Sequence, residues 1–173
     1  MAPRVKETVK NKGARLEDLE QLYRERYAHF VQVARAVVGN EAAAHDAVQE
    51  GFSHAIRERR SFRGDGPLEA WLWRAVVNAA KSSRRRKTAF DPFETAPEAA
   101  ANGQPDEDKE IRAWIAALPE RQRLVVFLRY YADLDYGAIA TALGIKTGTV
   151  SATLNAAHAA LRLSISTPVE VSK

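Results

Sequence analysis

The sequence contains no cysteine among its 173 residues, and this absence removes several kinds of chemistry at once. Disulfide scaffolds, thiolate metal sites and cysteine nucleophiles all require a thiol, so none of them is available to this chain. Apolar runs are also short, and none approaches the roughly 20 residues that a membrane-spanning helix requires. Because no apolar run follows the N-terminal lysines either, we expect a soluble cytoplasmic protein without membrane insertion.

Residues that would support catalysis or metal binding are equally sparse. There is neither a phosphate-binding glycine loop nor a nucleophile motif. Asp133 and Asp135 form a close carboxylate pair, but each is better suited to capping a turn or the following helix. The four histidines do not have the spacing of metal ligands: His29, His45, His54 and His158. We therefore expect no enzymatic activity, no cofactor and no metal.

The charge of the chain is unevenly distributed. Residues 1–87 contain 18 Lys or Arg and 11 Asp or Glu, a net charge of +7. Residues 88–118 contain 2 and 7, a net of −5, and residues 119–173 contain 6 and 4, a net of +2. An anionic polymer would therefore be attracted chiefly to the first half of the chain.

The apolar residues repeat at intervals of three and four, which is the helical period, and no segment alternates as a strand would. The pattern predicts an all-α protein. Glycine, asparagine and proline at the segment ends indicate where helices stop and start. The predicted helices cover residues 16–39, 41–60, 68–87, 106–118, 119–131, 136–143 and 147–163.

One stretch interrupts this helical pattern and divides the chain. Residues 88–105 are rich in Ala, Pro and Glu without a consistent period, which predicts a flexible linker. Two small helical domains would lie on either side of it, at 16–87 and 106–163. Residues 1–15 and 164–173 lack a strong pattern and are predicted to be tails.

The loop and helix at residues 61–87 carry the most specific polar pattern. The loop SFRGDGP presents Phe62 and Arg63 and places Asp65 between two glycines. An aromatic ring and a cation in this loop, followed by a basic helix, suit the binding of a phosphate backbone with unstacked bases. The ordinary alternative is a solvated amphipathic helix with a basic end. The helix after Pro67 places four polar residues on one face: Arg74, Asn78, Lys81 and Arg85.

Two further helical patterns point to binding. The second predicted helix has a polar face, which is either solvated surface or a docking face for a protein. That face comprises Asp46, Gln49, Glu50, Ser53 and Arg57. Near the C-terminus, the segment Gly144–Lys146 joins two amphipathic helices, which is the pattern of a helix-turn-helix motif.

Three segments together resemble a known family. AAAHDAVQEGFSHAI, SFRGDGPLEAWLWRAVVNAAK and LPERQRLVVFLRYYADLDYGAIATALGIKTGTVSATL, in that order, resemble a bacterial RNA polymerase sigma factor of the extracytoplasmic-function, or group IV, type. The likeness covers region 2 of that family at about 16–87 and its region 4 at about 106–163.

The resemblance implies partners and roles. Core RNA polymerase would bind through its β′ coiled coil to Asp46, Gln49 and Glu50, and through its β flap to the apolar surface of region 4. Promoter DNA would be the second partner, and an anti-sigma factor is a further partner that the resemblance leaves open. The −10 element would meet Phe62, Arg63, Asp65, Trp71, Arg74, Asn78, Lys81 and Arg85. The −35 element would meet Lys146, Thr147, Thr149, Ser151, Thr153 and Asn155.

The last helix departs from the family pattern. Sigma factors of this type usually carry several basic residues there, whereas Arg162 is the only charged residue on the outward positions of this helix. A good bidentate base contact is worth about 1–3 kcal/mol, so we expect weak contact with the −35 element. The alternative function is a sigma-like regulator that binds polymerase or another sigma factor without reading promoters. A stand-alone repressor would leave the first half of the chain unexplained.

Overall fold

A computed structural model describes residues 13–90 and 106–166 of the chain. No strand is present in these two ranges, so the predicted all-α class is confirmed. A 3-10 turn at Arg59–Ser61 and a π-helical turn at Phe127–Tyr131 accompany the α-helices. The α-helices are α1 (Leu16–Val38), α2 (Glu41–Glu58), α3 (Leu68–Phe90), α4 (Asp106–Ala117), α5 (Glu120–Val126), α6 (Tyr136–Leu143) and α7 (Thr147–Ser166).

The junction between α1 and α2 follows directly from two residues. Gly39 adopts a left-handed conformation with φ of 87°, which glycine reaches without a Cβ penalty, and it ends α1. Asn40 then caps α2, because its side-chain oxygen accepts a hydrogen bond from the Ala43 N–H at 2.8 Å. Both roles were expected from the sequence.

Helices α1, α2 and α3 form a bundle around three aromatic rings. Phe30 lies between Trp73, at a centroid distance of 4.0 Å, and Phe52, at 5.1 Å in an edge-to-face arrangement. Trp73 is fully buried, and its indole N–H donates to Glu69 at 3.3 Å. The buried face of α3 is wider than one helical seam because this helix packs against α1, α2 and α6.

Helices α2 and α3 are tightly packed at Gly51. A Cβ atom at this position would lie 2.7 Å from Val76 Cα and 2.9 Å from Val76 Cγ2. We expect Gly51→Ala to lower the free energy of unfolding by about 1–3 kcal/mol, because the backbone of α3 would have to move. Urea unfolding followed by circular dichroism measures this effect. In the matched control Gly148→Ala, the added Cβ meets no atom within 4 Å, and we expect no destabilisation.

In the second half of the chain, α6 and α7 form the predicted helix-turn-helix. Asp135 caps α6 by accepting a hydrogen bond from the Ala138 N–H at 2.7 Å, which is the capping role predicted for it. Gly144, with φ of 65°, ends α6 and turns the chain towards α7. Val150, Leu154 and Ala157 of α7 are buried.

Several boundaries differ from the sequence-based prediction. Residues 13–15 were assigned to a tail, but Ala14 is buried and its N–H donates to the Arg59 carbonyl at 2.7 Å. Helix α3 continues through Phe90, and α7 continues to Ser166. The rest of the predicted linker, 91–105, and of the tails, 1–12 and 167–173, lies outside the described residues. The boundaries of the two helical domains therefore remain a prediction.

The two halves pack against each other, a contact that the sequence pattern did not indicate. Helix α6 lies against α3, and α5 with the π-helical turn lies against α1. Their buried apolar residues form one continuous core. Helix α6 has only short side chains on much of its surface, since Ala138, Ala140 and Ala142 are all buried, and this permits close helix packing.

Candidate nucleic-acid interface

The loop before α3 borders a cavity of about 310 Å³ that is open to solvent on one side. Its walls are the loop residues 61–67, Trp71 and Arg74 of α3, and Thr141 of α6. The half-buried ring of Phe62 lies 5.6 Å from the Trp71 ring at an angle of 55°. The structure thus brings together five of the residues predicted to contact the −10 element: Phe62, Arg63, Asp65, Trp71 and Arg74.

Local hydrogen bonds hold this loop at both ends. The Ser61 hydroxyl donates to the Glu58 carbonyl at 2.7 Å, which closes the 3-10 turn after α2. Gly64 adopts a left-handed φ of 73° at the middle of the loop. The Pro67 carbonyl accepts the first helical hydrogen bond of α3, from the Trp71 N–H at 3.3 Å. The cavity therefore has an aromatic wall, exposed cations at its edge and a backbone fixed on both sides.

The polar face of α3 extends from this cavity along the helix. Arg74, Asn78 and Arg85 are exposed, and Lys81 is half-buried, so the four predicted residues form a continuous stripe. Near the C-terminal end of α3 the stripe borders a groove lined by Lys81, Arg84, Arg85, Thr88 and Glu120. Arg84 is ion-paired with Glu120 of α5. The sequence analysis did not single out Arg84, although it belongs to the run of cations at residues 84–87.

The three residues predicted to contact polymerase are all exposed on α2. Asp46, Gln49 and Glu50 lie within one and a half turns of each other, so they form a compact polar surface. Arg86 of α3 donates a hydrogen bond to the Glu50 carboxylate at 2.9 Å, and this hydrogen bond raises the pKa of Arg86. The predicted polymerase-contact surface on α2 and the cationic C-terminal end of α3 are therefore neighbours, linked by one ion pair.

The residues predicted to contact the −35 element differ in their exposure to solvent. Lys146, Thr147 and Asn155 are exposed, whereas Thr149, Ser151 and Thr153 are half-buried. The Thr153 hydroxyl also donates to the Thr149 carbonyl at 2.7 Å, so it is engaged within its own helix. Much of the fully exposed side of α7 is formed by alanines: Ala152, Ala156 and Ala159.

Arg123 of α5 is the one charged side chain that is buried among the described residues, at 6% exposure. Its guanidinium donates to the Ala116 and Leu118 carbonyls at 2.7 and 3.2 Å, and to the Ala36 carbonyl of α1 at 2.9 Å. Burial, reinforced by the positive charge of Arg84, lowers the pKa of Arg123 from its ordinary value. No sequence pattern predicted this role, because nothing in the spacing of the segment distinguishes Arg123 from an exposed cation.

The ranges 13–90 and 106–166 contain neither a membrane-spanning helix nor a cluster of metal ligands. None of the helices there is long and apolar enough to cross a membrane. Those residues also include no group of three or more His, Asp or Glu side chains that could hold a metal ion.

Comparison with known families identifies the class. The family model of Sigma-70 region 2 matches residues 22–90, and that of Sigma-70, region 4 matches residues 108–161. The chain is therefore an RNA polymerase sigma factor, whose function is promoter-directed initiation of transcription with core RNA polymerase and promoter DNA as partners. This family is not one of catalytic enzymes.

Individual relatives define the type of sigma factor. The chain is 32% identical over 156 residues to the ECF RNA polymerase sigma-E factor of Escherichia coli (strain K12), which covers 79% of this chain and 81% of the relative. It is 30% identical over 145 residues to the ECF RNA polymerase sigma factor SigM of Mycobacterium tuberculosis, covering 82% and 74%. The chain belongs to the ECF sigma factors, as the sequence motifs predicted.

Solved structures show the same fold. The sigma factor RpoE of Bartonella quintana, in complex with the anti-sigma factor NepR, matches with a TM-score of 0.71 at 20% identity, over 88% of this chain and 99% of that chain. CnrH, in complex with the cytosolic domain of CnrY, matches with a TM-score of 0.66 at 22% identity, over 88% and 90%.

Proposed function

We propose that this sigma factor selects promoters mainly through the −10 element. The observation that carries the proposal is the cavity formed by the loop at residues 61–67, Trp71 and Arg74, with the cationic stripe leading away from it. A base taken out of the stack needs a pocket with aromatic or guanidinium faces. In this proposal Phe62, Arg63, Asp65 and Trp71 surround the extruded base.

The remaining stripe residues hold the DNA strand next to that base. Arg74, Lys81 and Arg85 neutralise phosphates, while the Asn78 amide offers both a donor and an acceptor to a base edge. These residues follow one face of α3, so they match a strand that runs along the helix.

Polymerase binds, in this proposal, at two places. The exposed residues Asp46, Gln49 and Glu50 contact the β′ coiled coil, and the apolar surface of region 4 contacts the β flap. The protein acts in the cytoplasm, where polymerase and promoters are, and it has no catalytic role of its own. An anti-sigma factor is a further proposed partner. Of the two structural neighbours described above, RpoE is bound to the anti-sigma factor NepR, and CnrH is bound to the cytosolic domain of CnrY.

Contact with the −35 element is proposed to be weak. The exposed positions Lys146, Thr147 and Asn155 offer one cation and two short polar groups, and Thr149, Ser151 and Thr153 lie at the flanks of α7. Phosphate contacts from Lys146 and the first N–H groups of α7 would position the helix without reading much sequence.

Transcription from a native promoter with purified core polymerase tests this function. We expect scrambling of the −10 element to abolish the specific transcript and scrambling of the −35 element to reduce it only partly. If the −35 scramble is the more damaging, α7 reads bases through its Ser, Thr and Asn surface. Polymerase binding without any promoter-specific transcript would instead support the sigma-like regulator, which the neutral surface of α7 also suits.

A further inference from the structure

The segment that precedes α1 is tied to the turn that leads into the loop at residues 61–67. The Ala14 N–H donates to the Arg59 carbonyl at 2.7 Å, and Ala14 is buried. The same carbonyl accepts a longer hydrogen bond from the Phe62 N–H, at 3.4 Å, directly after the 3-10 turn. One backbone oxygen therefore connects the N-terminal segment with a residue of the aromatic wall of the cavity.

Gly13 brings this segment into direct contact with the turn. Its φ of 79° is left-handed, which glycine adopts without a Cβ penalty. A Cβ atom at this position would lie 2.7 Å from the Arg59 carbonyl oxygen and 2.8 Å from Arg60 Cα. The close approach therefore requires glycine, and the chain before Gly13 starts beside the backbone of Arg59 and Arg60.

The sequence immediately before this contact is strongly basic. Residues 4–12 contain four cations and one carboxylate, a net charge of +3: Arg4, Lys6, Lys10, Lys12 and Glu7. A chain extends at most about 3.6 Å per residue, so the Cα atom of Lys10 must lie within roughly 11 Å of that of Gly13, and the Cα atom of Lys12 at about 4 Å. Covalent geometry alone thus keeps at least two cations next to the turn.

The turn and the loop add positive charge at the same place. Arg60 and Arg63 are exposed, and Arg63 lines the cavity. The guanidinium of Arg59, by contrast, donates to the Ile56 carbonyl at 3.0 Å and is held against α2. Arg60, Arg63 and the adjoining N-terminal cations therefore provide a second concentration of positive charge, which reaches the cavity at Arg63 and shares no residue with the stripe on α3.

We propose that residues 1–12 are a DNA-binding arm, anchored by Gly13 and Ala14, whose Lys10 and Lys12 contact phosphates of the strand that enters the cavity. A base held in the cavity places its own strand beside Arg63, and therefore near the point at which the arm is attached. Phosphate contacts of this kind contribute affinity without reading sequence. This inference rests on the proposed function of the cavity.

The salt dependence of DNA binding tests the arm in the full-length protein. The measurement is the affinity of Lys10→Gln/Lys12→Gln, in complex with core polymerase, for a single-stranded −10 oligonucleotide over a range of salt concentrations. Each phosphate contact to a single strand contributes about 0.7 to the slope of log affinity against log salt. We therefore expect the slope to become shallower by about 1.4, so that a tenfold reduction in salt strengthens binding roughly 25-fold less than in the wild type.

The matched control is Arg24→Gln/Lys173→Gln, which removes one exposed cation of α1 and the last lysine of the sequence, both outside the arm. We expect this control to keep the wild-type slope. An unchanged slope in Lys10→Gln/Lys12→Gln, or an equal change in the control, would overturn the arm. Weaker binding of Lys10→Gln/Lys12→Gln to core polymerase without DNA would also overturn it, since the partner would then be an acidic protein surface.

A second variant tests the anchor. Gly13→Ala keeps every cation but forces the segment away from the Arg59 carbonyl, so we expect a slope between those of the wild type and Lys10→Gln/Lys12→Gln. Weaker binding at the wild-type slope would mean that the substitution acts through Phe62 alone, and wild-type affinity and slope would mean that no anchor is needed; either result overturns the anchored arm. The proposed function fails differently, because the wild type would then show no preference for the −10 oligonucleotide over a scrambled one.

Discussion

The double variant Asp46→Lys/Glu50→Lys is expected to abolish co-purification with core RNA polymerase and, with it, specific transcription. Both carboxylates are exposed on α2 within little more than one helical turn, so they are available to one partner surface. Truncating one member of a buried interfacial charge pair costs about 2–5 kcal/mol, and a reversal adds repulsion. Two reversals should therefore lower the affinity by well over about a hundredfold.

A matched control separates this effect from the change in net charge. Asp18→Lys/Glu20→Lys also reverses two exposed acidic residues, and Glu20 pairs with Arg24 at 2.6 Å much as Glu50 pairs with Arg86. We expect this control to keep polymerase binding, and both variants to keep their helical circular dichroism. Undiminished binding by Asp46→Lys/Glu50→Lys would show that polymerase docks elsewhere.

Alanine substitutions should affect the two promoter elements unequally. We expect Phe62→Ala and Asn78→Ala each to remove about 1–3 kcal/mol of promoter binding, the range for base stacking or a good base contact. Asn155→Ala and Ser151→Ala should cost less, because α7 presents mostly alanine on its exposed side and Ser151 is half-buried. Run-off transcription from one native promoter, with all four variants in parallel, measures the order.

The ranking of the four variants by lost transcription can be interpreted only if their stabilities are known. Asn78 and Asn155 are both exposed on helices, so their alanine variants should unfold at nearly the wild-type urea concentration. A larger loss for Asn155→Ala than for Asn78→Ala at equal stability would show that the −35 helix dominates recognition.

Much of this fold was predictable because its signals are local. Gly39, Asn40, Asp135 and Gly144 each mark a helix end through a conformation or cap that depends on neighbouring residues alone. The helical spacing of Arg74, Asn78, Lys81 and Arg85 likewise placed them on one face without any tertiary information. The helices, their order and the polar face of α3 could therefore be predicted from the sequence.

The features that were missed depend on which helices meet. Trp73 is buried because α3 has several neighbours, and Gly51 is tightly packed because α3 passes over it, facts that no local pattern records. Arg123 and Thr141 acquire their positions only when the second half packs on the first. The composition of the predicted linker suggested two independent halves. It contains no information about whether the surfaces of those halves pack against each other.

A thermodynamic cycle between Phe62 and single DNA positions tests the central claim most directly. The measurement is the affinity of the polymerase complex for single-stranded −10 oligonucleotides, each with one abasic site, using wild-type protein and Phe62→Ala. The account predicts that one abasic position weakens wild-type binding strongly and has little further effect in Phe62→Ala, because both changes remove the same contact. Fully additive losses at every position would contradict it, since no base would then be held in the cavity beside Phe62.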